Sequence, residues 1–199
     1  CAAMAASLLP PAPNAQADSI AGMHPHFRLA TFYFAYFAYV GAFMPYFSLY
    51  LQDLGRTAAE IAVILALPQL VKVLAPTLLA WLADTRGARR PSVIASAMLT
   101  AVSVALLYTV EGFAGLCAIV LLTGLASSGT LPLVEATTLS VLSGRSERYG
   151  PIRMWGSVGF IVAVMGTGAA LDALPAGSLL AIVVPLAALM AASSCLMPE

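Results

Sequence analysis

The chain has 199 residues, of which 61% are hydrophobic and 9% charged, and its net charge is zero. A water-soluble domain carries about 25% charged residues, so this composition excludes an ordinary soluble surface. The zero balance also excludes the basic footprint of a nucleic-acid partner.

Residues 1–27 differ from the rest of the chain. They are rich in Ala and Pro, with Pro10-Pro11-Ala12-Pro13, and read as a disordered or non-native tail. The chain opens on Cys1 rather than Met, as a fragment or an odd gene model would, and Met23 is a candidate natural start. Residues 28–199 hold six apolar segments, each long enough for the ~20 residues that a membrane-crossing helix needs. They are residues 29–51, 61–83, 91–110, 112–142, 151–171 and 173–197. The last opens with Pro175, Gly177 and Ser178, which predict a loop in its first turn. The runs lack strict alternation and exceed strand length, so helices are predicted over barrel strands. The fold class is all-α: a polytopic membrane protein of six transmembrane helices, with neighbours antiparallel through short connections.

Basic residues set the predicted orientation. Arg28 precedes the first segment. Arg86, Arg89 and Arg90 lie between the second and third, and Arg145 and Arg148 between the fourth and fifth, with Arg153 just beyond. The opposite loops hold only Arg56. Both termini are predicted to be cytoplasmic.

Three charges stand inside apolar segments. Lys72 lies near the middle of the second, where an uncompensated Lys costs roughly 2.5–3.5 kcal/mol. Gln69 shares its face, and Pro68 and Pro76 flank the pair. Lys72 either meets an anionic substrate group or coupling acid, or pairs with a helix outside this chain. Glu135 lies in the fourth segment and Arg153 in the fifth, eighteen residues on, around the turn at residues 143–150. At 1.5 Å per residue, Glu135 sits roughly 10 Å deep. Arg153 is shallower but long enough to reach it. The pair either binds polar groups of a solute or bridges two helices.

The first segment carries Phe32, Tyr36, Tyr39, Phe43, Tyr46 and Tyr50 at steps of three or four, which share one face. Tyr36, Tyr39 and Phe43 are the candidates to line a path, and Phe32 and Tyr50 are assigned to interfacial belts. Small residues on the fourth and fifth helices, Gly124, Gly129, Gly156 and Gly159 among them, predict close helix packing. Cys1, Cys117 and Cys195 show no metal spacing, and His24 and His26 sit in the tail. No metal cluster, phosphate loop or triad is visible, so neither an enzyme nor a cofactor is predicted. A non-transporting membrane sensor or scaffold stays open as an alternative.

At this point the residues resemble a known family. Six helices with both ends inside look like the N-terminal half of a major facilitator superfamily transporter. Asp84-Thr85-Arg86-Gly87-Ala88-Arg89-Arg90 is similar to that superfamily's acidic-glycine-basic loop. Ala80 replaces the usual glycine and Thr85 the usual basic residue. The resemblance makes Asp84, Gly87, Arg89 and Arg90 a gating loop. Tyr149-Gly150-Pro151-Ile152-Arg153-Met154-Trp155-Gly156-Ser157-Val158-Gly159-Phe160 resembles the fifth helix of the phenylpropionate permease group and of lactose permease. The resemblance makes Glu135 and Arg153 a substrate-binding pair and Phe160 a stacking ring. It also implies a missing C-terminal six-helix half and a bacterial inner membrane. The function expected is proton-coupled uptake of a small organic solute, an aromatic or other organic acid ranking above a sugar or nucleoside.

Overall fold

The computed structural model describes the backbone of residues 25–85, 89–142 and 146–197, and their side chains apart from those of 72–85, 89 and 146. The tail expected over residues 1–27 lies outside this range except for its last three residues, which are helical rather than disordered. Among the described residues eight α-helices form: α1 (Pro25–Phe43), α2 (Phe47–Asp53), α3 (Ala58–Thr85), α4 (Arg89–Leu106), α5 (Phe113–Ser128), α6 (Thr130–Leu142), α7 (Tyr149–Ala173) and α8 (Leu179–Ser194). No strand occurs among the described residues.

Six spans result from eight helices because two spans are broken. The first divides at Met44-Pro45-Tyr46 into α1 and α2, and the fourth divides at Gly129 into α5 and α6. Among the described residues five stretches are long and apolar enough to cross a bilayer: Pro25–Asp53, Arg90–Thr109, Phe113–Leu142, Tyr149–Ala173 and Ala176–Ser194. The 28-residue α3 supplies the second span, at about 42 Å of helix. It runs unbroken past Pro68 and Pro76. Pro175, Ala176, Gly177 and Ser178 form the loop and 3-10 turn before α8, as their composition predicts.

Local sequence explains the helix starts. Thr57 and Glu60 form a capping box at α3, with the Thr57 N–H on Glu60 Oε2 at 2.8 Å and the Glu60 N–H on Thr57 Oγ1 at 3.3 Å. Arg56 adds an ion pair to Glu60 at 3.7 Å. Pro91, Pro132 and Pro151 each sit in the first turn of their helix, where the missing N–H has no helical partner to lose. Buried hydroxyls return their protons to the previous turn. Thr100, Thr123, Thr137 and Thr138 donate to the carbonyls of Ser96, Ile119, Leu133 and Val134, which hides their polarity from lipid.

The helices pair in a pattern that repeats. α1 lies along α7, and α3 lies along α5. α1 also meets α8, as α4 meets α5, and α4 meets α8. Exchanging the first three spans with the last three maps this set of contacts onto itself, and maps the broken first span onto the broken fourth. An odd number of crossings separates the repeats, so they are inverted with respect to each other.

Glycine permits the tightest pairing. A Cβ on Gly41 would stand 2.7 Å from the carbonyl oxygen of Phe160, and one on Gly159 would collide with that of Phe34. At the equivalent contact, a Cβ on Gly124 would meet Pro68 at 3.1 Å. Tyr46, at the first break, donates to the Val164 carbonyl at 2.8 Å and ties α7 to that joint.

One end of the bundle is closed by arginines. Arg28 donates to the carbonyls of Leu196 and Met197, and Arg90 donates to that of Cys195 at 3.2 Å. These carbonyls follow α8 and have no further turn to receive them. The start of α1, the start of α4 and the end of α8 therefore share one face.

Gly159→Ala should lower the thermal unfolding midpoint, with a cost of about 1–3 kcal/mol for forced overpacking. Gly166→Ala, where a Cβ meets nothing within 4 Å, should leave it equal or higher. Melting curves of the two variants in detergent check this, and equal losses would contradict the close approach.

Candidate binding site

The turn between α6 and α7 brings Glu135 and Arg153 together. Arg153 Nε lies 3.7 Å from Glu135 Oε1, the distance of an ion pair. Tyr149, in the first turn of α7, donates its hydroxyl to the same oxygen at 3.3 Å. The two charged side chains are 30% and 37% exposed. They are neither sealed in the core nor free of the bundle.

Aromatic faces from α1 support the arginine. The Arg153 guanidinium carbon stands 4.1 Å from the centre of the Phe37 ring and 5.5 Å from that of Tyr33. Both lie within the ~6 Å over which a ring face attracts a cation. Gly156 makes this seat possible: a Cβ there would stand 2.7 Å from the Phe37 ring and 3.0 Å from Arg153 Nη1. Tyr33 is fully buried, and its hydroxyl meets Thr138 Oγ1 on α6 at 3.3 Å. One ring thus touches both helices that carry the charges.

The other predicted residues fall at three kinds of place. Tyr36 is half-buried, stacked on Phe32 at 6.2 Å and edge-on to Phe37 at 5.1 Å, which joins it to the arginine's platform. Phe160 is 36% exposed and lies seven residues beyond Arg153, two turns along the same face of α7. Tyr39 and Phe43 are buried. They belong to a column of rings, Tyr39 to Phe43 to Phe47 to Tyr50, that crosses the break in the first span. Phe32 and Tyr50, which the sequence pattern assigns to interfacial belts, are buried too. That assignment is corrected: the bundle supplies these rings with ring and helix neighbours in place of headgroups.

Gln69 is exposed on α3. Lys72 is on the same helix, three residues on, and its side chain lies outside the described residues, as do Gly87 and the side chains of Asp84 and Arg89. Of the expected gating loop, Arg90 is described, and it caps the end of α8. Tyr33, Phe37 and Tyr149 are the site residues that sequence reasoning missed. Phe37 and Tyr33 fall beside the stripe drawn through Phe32, Tyr36, Tyr39 and Phe43. Tyr149 was visible as the first residue of the fifth-helix motif.

Among the described residues no group of His, Cys, Asp and Glu is placed to hold a metal ion. What the site offers is one anion, one planar cation, a phenol and a bank of rings. That set binds hydroxyls, carboxylates and flat bodies.

Residues 26–199 match the model of the MFS_1 like family. The chain belongs to that family. It is an integral membrane half-domain of the MFS transporter type, and transporters of that type are not enzymes. The chain is 35% identical over 142 residues to the maltose permease of Geobacillus stearothermophilus, covering 69% of this chain and 35% of that protein. It is 30% identical over 145 residues to the probable 3-phenylpropionic acid transporter of Escherichia coli (strain K12), covering 70% of this chain and 37% of that one. The crystal structure of the nucleoside transporter NupG superposes with a TM-score of 0.80 at 21% identity, over 89% of this chain and 45% of NupG. That last likeness is one of fold. The matched region spans little more than a third of the two curated relatives.

Within this MFS half, Arg153→Gln leaves Glu135 with the Tyr149 hydroxyl alone, and Glu135→Gln leaves the Arg153 charge on ring faces. Each should destabilise the half by about 0.5–1 kcal/mol, the scale of a partly exposed ion pair. The double variant should cost less than the sum of the two. A double-mutant cycle on thermal unfolding measures the difference, and strict additivity would mean that the two charges do not interact.

Proposed function

We propose that the chain is the N-terminal half of a secondary active transporter that moves a small organic solute together with protons. A second six-helix half would close the site. The observation that carries this reading is the Glu135–Arg153 pair, about one-third exposed on adjoining spans and framed by the rings of Phe37 and Tyr36. Charge at membrane depth is costly facing lipid, so such a pair is kept where it faces a cavity or a partner. In transporters of this architecture the solute binds between two halves that rock about it.

In the proposed site Arg153 and Glu135 hold the solute's polar groups. Tyr36, Phe37 and Phe160 lie against its flat body, and Gln69 and Lys72 face it from the second span. Tyr39 and Phe43, buried in this half, serve its packing. Asp84, Gly87, Arg89 and Arg90 make the gating loop on the cytoplasmic side of a bacterial inner membrane. With Glu135 neutralised by Arg153, Lys72 leaves the half-site net positive, which favours an organic anion. An aromatic or other small organic acid therefore ranks first, in keeping with the similarity to the 3-phenylpropionic acid transporter. A sugar is the second reading, supported by the similarity to maltose permease and by a carboxylate able to accept hydroxyl protons.

Uptake by cells expressing the full-length protein decides between them. Competition by 3-phenylpropionate and not by maltose is expected. Inhibition by maltose alone would reverse the ranking, and no uptake of either solute would defeat both readings. Lys72→Ala should impair uptake while leaving membrane insertion intact. Topology has its own test: reporter fusions after Arg56 and Glu111 should read outside, and those after Arg90 and Arg148 inside. A reversed pattern at two of these loops would overturn the orientation.

A further inference from the structure

The fourth span breaks at Gly129, six residues before Glu135. A broken span must be held at its joint, or the second piece can tilt and turn. Here the hold comes from another helix. Ser96, on α4, donates its hydroxyl to the Ala126 carbonyl. An unbroken helix would offer that carbonyl to the N–H of Thr130, four residues on. The Thr130 hydroxyl in turn lies 2.6 Å from Ser96 Oγ. The protons balance if Thr130 donates to Ser96 and Ser96 donates to Ala126. One serine thus grips the last turn of α5 and the first residue of α6 together.

The grip also fixes how α6 is turned about its own axis. Thr130, Val134 and Thr138 follow steps of four and are fully buried. Their stripe is fastened near its start by Ser96 and at Thr138 by the Tyr33 hydroxyl. Glu135 lies one residue past Val134, about 100° around the helix. If the stripe rolls, the carboxylate leaves Arg153. Ser96 itself is held from behind, since Thr100 donates to its carbonyl at 2.8 Å.

We propose that Ser96 is a positioning residue for the solute site: through Ala126 and Thr130 it sets the angle at which α6 presents Glu135 to Arg153. The proposal rests on the reading of that pair as solute-binding. The part concerning α6 can be tested without a solute. In the full-length protein, with its native cysteines changed to serine, Glu135→Cys and Arg153→Cys are combined, and the rate of bridging by a short bifunctional thiol reagent is measured. Ser96→Ala should slow bridging by about fivefold, the equilibrium effect of one lost hydrogen bond. Ser96→Thr, which keeps the hydroxyl, should restore it. Thr130→Val should slow it like Ser96→Ala, and it decides the matter if Ser96→Ala fails to reach the membrane. Equal rates in all backgrounds would overturn the proposal.

A second readout uses the intact pair and uptake of 3-phenylpropionate and of maltose. Ser96→Ala should raise KM by about fivefold with Vmax per folded transporter little changed, and Ser96→Thr should return KM to its starting value. A lower Vmax with unchanged KM would mean a merely structural serine and would overturn the positioning role. Should the unsubstituted protein take up neither solute, the substrate reading fails, and the bridging rates still decide whether Ser96 aims Glu135.

Discussion

The close approach of α1 to α7 underlies both the bundle and its site. In lipid there is no apolar advantage in bringing two helices together, because the tails are as apolar as the side chains they replace. Contact must come from backbones that come near enough for dispersion to act along their length. Gly41 and Gly159 supply that nearness, each lying under a carbonyl of the opposite helix. Gly156 extends the same seam and leaves a recess that the Phe37 ring fills. The guanidinium of Arg153 then lies on that ring. A packing device and a charge-holding device are consecutive turns of one seam.

The second constraint is that polar groups inside the bundle must find partners within it. Hydroxyls do most of this work. They bond back along their own helices, and at the Gly129 break they bond across from α4. The two broken spans occupy equivalent places in the inverted repeat, but their joints are held differently. The first is tied by Tyr46 reaching the Val164 carbonyl on α7, the fourth by Ser96 reaching Ala126. Each joint is tied to a neighbouring span by a side-chain hydroxyl.

Much of this was legible in the sequence, and the exceptions have physical causes. Segment lengths against bilayer thickness revealed the spans. Two opposite charges around a short turn revealed the ion pair, because few arrangements excuse charge in lipid. Phe37 and Tyr33 escaped because α1 carries rings on most of its faces. In lipid, rings suit the core, the tails and a cavity alike, so periodicity offers no contrast by which to choose. For the same reason Phe32 and Tyr50 were assigned to interfaces that they do not occupy. The break at Gly129 was hidden by a segment apolar on both sides of it. The partnership of Ser96 with Ala126 and Thr130 joins spans thirty and more residues apart, and no local pattern announces it.

The arginine caps on α8 carry a consequence for assembly. Arg28 and Arg90 hold the exit of the last span on the face where the first span enters. Any polypeptide continuing from Met197 begins its journey on that face and needs no extra crossing to return to it. A following bundle of the same kind would therefore enter the bilayer in the same sense as this one. Two such units would be related by an axis along the membrane normal, whereas the repeats inside each are related by an axis in its plane.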